Sequence, residues 1–267
     1  MITSLHSPHV EAVKALLGSR GNKERRQSKK YVVEGLSNIK ELLESDPNSL
    51  QTLYLTEEGA RKLSNNLPNV EKIIEVAPEV MAAMSDTVTP QGALAIAALP
   101  DRNFESWVSS QKSNFTLAYF WQIQDPGNAG TVIRAADAFG IDAIVFSDNS
   151  VDIFGPKVVR STAGSLWHIP VFEEVSLPDL ISLCTKKNIS IFATEAGAEK
   201  SLNDAADLVA NQSSIWIFGN EARGLPEDFQ KSNPITKVAI PMFGRAESLN
   251  LATAAAVVMY ALADAKK

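Results

Sequence analysis

Between residues 116 and 240, short apolar runs alternate with helical patterns, and this alternation constrains the fold more than any other feature of the chain. The runs are Thr116-Gln122, Ala143-Phe146, Ser190-Ala193, Ile215-Phe218 and Lys237-Ile240. Strands separated by helices are the pattern of a parallel sheet with helices on its faces, so an α/β domain is expected here.

A second, smaller α/β pattern lies upstream. Strand-like runs fall at Tyr31-Val33, Thr52-Leu55, Lys72-Val76 and Ala93-Ala97, with helical patterns between them. After Leu99 the stretch PDRNFESWVSSQ is polar and opens with a proline, which suits a linker. Two domains are therefore expected, at 1–105 and 112–267, which 267 residues with 45% hydrophobic content can support. No tandem repeat or low-complexity tract is present.

Composition removes several classes of function. Cys184 is the only cysteine, so no intrachain disulfide can form and a reducing compartment is the simpler setting. His6, His9 and His168 have no metal-ligand spacing with it, so no metal is expected. The opening MITSLHSPHVEAVK lacks the apolar core of a signal peptide, and no stretch reaches the apolar length of a membrane span. The expectation is a soluble, cytoplasmic protein.

A net charge of -6 argues against a basic surface all round. The first 35 residues nevertheless carry seven Lys/Arg against three Glu, most of them in the run from Arg20 to Lys30. That run is either a solvated face or a surface for nucleic-acid phosphates, in which case Arg25, Arg26, Lys29 and Lys30 are the candidate contacts.

Three later segments carry candidate chemistry. In the first, Gln124 to Gly140, a strand leads through Pro126, Gly127 and Asn128 into a helix. Pro126 and Gly127 would make the turn, Asn128 could cap the helix or hydrogen-bond, and Gly130 would permit close backbone approach. Arg134, one turn after Gly130, would place a permanent cation near the strand end where open α/β sheets bind ligands. A plain helix start with a surface arginine would look the same. The G-x-G-x-x-G of a dinucleotide loop is absent.

In the second segment, Ile215 to Asp228, an apolar strand stops at Gly219 and presents Asn220, Glu221 and Arg223 together before Pro226, which with the acidic residues after it suits a helix start. A bare strand-to-helix connection could look similar, but it would not need two glycines, an amide and a carboxylate so close together. In the third, Val238 to Leu262, a strand leads through Pro241 and Gly244 to Ser248, a plausible N-cap for an Ala-rich helix. That helix is apolar nearly all round, so it is expected in a core or a subunit interface.

In this order, Asn128-x-Gly-x-x-x-Arg134, Gly219-Asn-Glu-x-x-Gly-Leu225 and Ile240-Pro-Met with Ser248-Leu-Asn250 resemble the SpoU/TrmH branch of the SPOUT methyltransferases. Ala222 and Leu251-Ala-Thr are departures from the usual pattern. The resemblance spans about residues 115–265, with a further family-like piece from Gly155 to Gly164. The N-terminal half more loosely resembles the substrate-binding domain of members that act on ribosomal RNA, its basic residues leading into Val33-Glu34-Gly35.

The resemblance implies a C-terminal parallel-sheet domain with a deep trefoil knot, preceded by a small α/β substrate-binding domain, and a homodimer that works without metal. It implies methyl transfer from S-adenosylmethionine to a ribose 2'-hydroxyl, in ribosomal RNA rather than transfer RNA. Arg134 would be catalytic, binding RNA phosphate and aiding removal of the hydroxyl proton, with Asn128, Glu221, Ser248 and Asn250 ordering the site. Thr194, Gly219, Asn220, Gly224, Leu225, Ile240, Met242 and Leu249 would surround the cofactor, and Arg160 would touch RNA. Because a guanidinium keeps its proton in proteins, phosphate clamping and alkoxide stabilisation are the roles that need no change in Arg134. The competing readings are a transfer RNA methyltransferase and a non-catalytic RNA- or ribosome-binding protein of the same fold.

Overall fold

The computed structural model describes residues 1–18, 20–63, 73–226 and 234–266. Residues gather into two compact units, one made of 1–101 with 152–168 and the other of 102–151 with 169–267. The sequence pattern suggests a single crossing near 105–112. The chain instead returns to the N-terminal unit for Asp152–His168, because this segment supplies packing partners there. Phe154 meets Tyr31 edge-on at 5.0 Å, Asp152 pairs with Arg25, and the Pro156–Ser161 helix packs on the strand that contains Tyr31.

In the N-terminal unit, β1 (Lys30–Glu34), β2 (Leu50–Leu55), β3 (Ile73–Glu75) and β4 (Ala93–Ala98) form a sheet in the order β1-β4-β2-β3. β4 runs antiparallel to β1 and β2, while β3 lies parallel to β2. Lys72, expected to open β3, lies outside the described residues. Ser7 caps the Pro8–Leu17 helix, whose Val10, Val13 and Leu16 recur at helical spacing and pack with Val80, Met81 and Met84. At the end of β1, Gly35 takes φ +97°, a conformation glycine adopts without steric cost, and turns the chain into the Leu36–Ser45 helix.

In the C-terminal unit, β5 (Thr116–Phe120), β6 (Ala143–Phe146), β7 (Val171–Phe172), β8 (Ser190–Thr194), β9 (Lys200–Ser201), β10 (Ser214–Phe218) and β11 (Ile235–Ala239) form one sheet. Its order is β7-β6-β5-β10-β8-β11-β9, and every pairing among the described residues is parallel. The expected strands are present, except that β5 stops at Phe120, before Gln122, and β11 stops at Ala239, before Ile240. β7 and β9 have two residues each, too few to leave a periodic signal.

Leu117, Tyr119, Ile215 and Ile217 on the central strands are fully buried in this unit's core. Each side chain of that size contributes roughly 1.5–3 kcal/mol by leaving water. The stretch expected as a linker is partly helical: Asn103 caps Phe104–Ser110, which buries Phe104 and Val108 in the same core. Burial pushes the Cys184 thiol up to about 12, so it is no nucleophile at neutral pH. Among the described residues, no helix is long and apolar enough to cross a membrane.

The Leu251–Asp264 helix packs on the Pro126–Ala138 and Leu202–Val209 helices and buries Ala252, Ala255, Val258, Met259 and Leu262. Its burial is one-sided within a single chain: Val257 and Tyr260 remain 38% and 56% exposed.

Candidate active site at the carboxyl ends of β5 and β10

From β5 the chain winds outward through β6 and β7, then crosses to β8, and β10 later enters between β5 and β8. The strand order therefore reverses beside β5, and the carboxyl ends at such a reversal are where open α/β sheets bind ligands. Two loops meet there, one starting at Trp121 and the other at Gly219. Trp121 N–H donates to the Phe218 carbonyl at 2.9 Å, which ties them together.

Side chains from the three sequence segments converge on these loops through a directed chain of hydrogen bonds. Asn250 Nδ2 donates to Asn128 Oδ1 at 3.2 Å, and Asn128 Nδ2 donates to Glu221 Oε1 at 3.3 Å. Asn220 Nδ2 donates to the Gln122 carbonyl at 2.7 Å, and Asn220 Oδ1 accepts from the backbone N–H groups of Ala222 and Arg223. An amide can donate and accept at once, which is why asparagine occupies the joints of this chain.

Of the two expected caps, Asn128 takes the hydrogen-bonding alternative and Ser248 is replaced. Asp125, not Asn128, caps the Pro126–Ala138 helix, accepting from Asn128 N–H at 2.7 Å; Pro126 and Gly127 lie inside its first turn. Asn250, not Ser248, caps the last helix, accepting from Ala252 and Thr253 N–H. Both arrangements leave an asparagine amide available for bonding between segments. The capping carboxylate frees the Asn128 amide to bridge the segments, and Asn250 has an Nδ2 left over after capping, which a serine lacks.

The second segment's glycines are set by crowding. A Cβ on Gly219 would lie 2.7 Å from the Gly224 carbonyl carbon and 2.9 Å from the Leu225 nitrogen, and Gly224 itself has φ +61°. The Asn220 and Gly224 backbones pair with each other across this tight loop, and both neighbouring groups are main chain that cannot swing aside. Pro226 is described, but the helix expected after it at Glu227 and Asp228 lies outside the described residues.

The result is a cavity of about 850 Å³. Gly219, Asn220, Glu221, Gly224, Leu225, Ser248, Leu249 and Asn250 all line it, and Asn128 reaches it through its bonds to Glu221 and Asn250. Thr194 and Leu249 also line an adjoining cavity of about 290 Å³, whose other walls include Ile240 and Met242. Lys237 and Glu195 pair across the wall at 2.9 Å. Arg134 lies on the exposed face of its helix, roughly 9 Å along the axis from Asn128, does not line either cavity, and has no hydrogen-bond partner among the described residues. No group of His, Cys, Asp and Glu side chains among the described residues could hold a metal ion.

Residues 116–260, the stretch that builds this cavity, match the SpoU rRNA methylase family. The chain belongs to that family. Residues 8–95 match an MRM3-like substrate binding domain. A Bacillus subtilis (strain 168) 23S rRNA (guanosine(2553)-2'-O)-methyltransferase is 30% identical over 243 residues, covering 90% of this chain and 91% of its own. A 23S rRNA (uridine(2479)-2'-O)-methyltransferase of Streptomyces viridochromogenes is 27% identical over 257 residues, covering 92% and 86%. Among solved structures, the SpoU methyltransferase AviRb from Streptomyces viridochromogenes in complex with AdoMet has a TM-score of 0.82 at 25% identity, covering 97% of this chain and 98% of that one. An AdoMet-bound rRNA methyltransferase from Sinorhizobium meliloti has a TM-score of 0.81 at 25% identity, covering 98% and 96%.

The RNA-contact candidates of this SpoU-family chain differ in exposure. Arg26, Lys29 and Lys30 are exposed at the end of the Gly21–Ser28 helix, Lys29 as its left-handed C-cap and Arg26 with its Nε donating to Asn22 Oδ1 at 2.8 Å. Arg25 is buried, with Nε and Nη2 on Asp152 Oδ2 at 2.9 and 2.5 Å and Nη1 on the Leu16 carbonyl, so it cannot present its charge to a ligand. Arg160 is held by Glu34 at 3.2 Å and Asp86 at 2.8 Å. Glu34, buried at the end of β1, also accepts from Thr87 Oγ1 at 2.7 Å, which accounts for its place before Gly35 as structural.

Trp121 and Gln122 have no place in the motifs, yet they stand beside the cavity. Gln122 has φ +50°, which no residue pattern announces.

Proposed function

We propose that this chain is an S-adenosylmethionine-dependent RNA methyltransferase that modifies a ribose 2'-hydroxyl in ribosomal RNA. The observation that carries the reading is the convergence of Asn128, Glu221 and Asn250 in one hydrogen-bonded chain along a cavity of about 850 Å³, within the size range of cofactor sites. The cavity suits that cofactor: Leu225, Leu249, Leu251 and Ala254 give apolar wall for a purine, and Thr194, Glu195 and Glu221 offer oxygen acceptors for its hydroxyls and amine. Bound there, S-adenosylmethionine would supply an electrophilic methyl group to the ribose oxygen, its carbon–sulfur bond breaking to leave the thioether and the hydroxyl proton passing to solvent. Asn128, Glu221, Ser248 and Asn250 hold the cavity mouth in shape. Arg134 clamps RNA phosphate and stabilises negative charge developing on the attacking oxygen.

Calorimetry with S-adenosylmethionine, together with mapping of 2'-O-methyl groups in ribosomal and transfer RNA after deletion of the gene, tests this reading. Cofactor binding and loss of a ribosomal RNA methyl group are expected. An unchanged map would overturn it, and a loss confined to transfer RNA would move the substrate. Gly219→Ala provides a sharper check. Because its Cβ meets fixed backbone, cofactor binding should fall at least about tenfold, while the far larger core keeps the unit folded.

We also infer a homodimer, acting in the cytoplasm, with the C-terminal segment threaded as a knot. Exposed Val257 and Tyr260 on the last helix, with exposed Phe243, support the dimer as large apolar side chains open to a partner. RNA capture is assigned to Arg26, Lys29 and Lys30. Replacing all three by Gln should weaken RNA binding and flatten the slope of log affinity against log salt, by roughly one for each phosphate no longer neutralised. An unchanged slope in a salt titration would return this face to solvent.

A further inference from the structure

We propose that Arg223 and Trp121 form a platform on which a nucleobase of the bound RNA stacks at the mouth of the cavity, an assignment that rests on the RNA-methyltransferase reading above. The Arg223 guanidinium lies over the Trp121 ring at 5.8 Å from its centroid, within cation–π range. Two hydrogen bonds hold it: its Nη2 donates to Gln122 Oε1 at 2.8 Å, and its backbone N–H donates to Asn220 Oδ1 at 3.2 Å. Arg223 also lines the cavity, as do Glu221 and Asn250. Trp121 is half-buried and packs against the unit's core, so the ring is fixed while the guanidinium above it is exposed.

The strained residue beneath the pair supports a functional origin. Gln122 sits at φ +50°, which costs a non-glycine residue free energy. Its N–H donates to Ser147 Oγ at 2.7 Å, and its carbonyl accepts from Asn220 Nδ2 at 2.7 Å and Gln124 Nε2 at 3.1 Å. That conformation aims the Gln122 side chain at Arg223, making Gln122 a positioning residue. A planar, charged group held over an aromatic ring beside a site that must receive single nucleotides matches how proteins receive splayed RNA bases, by stacking on aromatic rings or arginine planes. A phosphate contact would need the charge alone and not the ring beneath it.

The test compares Arg223→Ala, Arg223→Lys, Trp121→Phe and Trp121→Leu with the unaltered protein on ribosomal RNA from cells lacking the gene. It measures methyl transfer, RNA binding across a salt series, S-adenosylmethionine affinity by calorimetry, and thermal melting to confirm folding. Arg223→Ala should raise KM for RNA roughly 5- to 150-fold, the effect of losing one stacked base, lower cofactor affinity by far less than that, and leave the salt slope nearly unchanged. Arg223→Lys should not restore binding, whereas Trp121→Phe should retain most of it and Trp121→Leu should not. Rescue by lysine, a salt slope smaller by about one, or a parallel fall in cofactor affinity would each overturn the platform. Should the unaltered protein bind this RNA without methylating it, the proposed reaction fails while the binding comparison still decides the platform. Failure to bind it at all overturns both.

Discussion

Arg134→Ala is expected to lower the rate of methyl transfer by about 10²–10³-fold or more and to leave S-adenosylmethionine affinity nearly intact. The two halves of this expectation come from different observations. Arg134 is exposed, has no hydrogen-bond partner among the described residues, and lines neither cavity, so its loss removes nothing from the pocket wall. Removing a charged donor that meets negative charge formed only in the transition state costs roughly 3–4 kcal/mol, which falls on the rate of the chemical step. Arg134→Lys should recover only part of the loss, because an ammonium supplies charge without the two-pronged fork that grips phosphate. Single-turnover assays at saturating cofactor, paired with calorimetry, separate the effects. Turnover comparable to the unaltered protein would remove Arg134 from the mechanism, and a matching loss of cofactor affinity would make it part of the pocket.

Side-chain chemistry was legible in the sequence where it depends on residue type, and hidden where it depends on backbone conformation. Asn128, Glu221 and Asn250 stood out as polar groups at strand-to-helix junctions, and the structure brings them together. Ser248 and Asn250 are both good caps two residues apart, and only the point at which the backbone turns helical, Leu251, decides between them. Gln122 gave no warning, because its left-handed conformation is imposed by Ser147 and Asn220, distant in sequence. The parallel sheet was readable from the alternation of strand and helix. The allegiance of residues 152–168 to the N-terminal unit was not, because it depends on Tyr31 and Arg25, more than a hundred positions away.

The basic run shows the same limit and leads to a second large effect. Counting charges treats Arg25 and Arg26 alike, but the Gly21–Ser28 helix turns Gly21 and Arg25 inward and Lys23 and Arg26 outward. Asp152→Ala is therefore expected to destabilise the N-terminal unit by about 3–5 kcal/mol, since it strands a guanidinium that is 7% exposed and, among the described residues, otherwise bonded only to the Leu16 carbonyl. A fall in melting temperature of roughly 10 °C or more should follow. Replacing both partners, Arg25→Leu with Asp152→Leu, should recover much of the loss, because two apolar side chains leave no charge uncompensated. Arg25→Gln should likewise lower the melting temperature yet, assayed well below it, leave the salt slope of RNA binding unchanged, in contrast to the exposed Arg26, Lys29 and Lys30. A stable Asp152→Ala protein whose RNA affinity had fallen would place Arg25 at the RNA after all, and would sink the structural role derived from its burial.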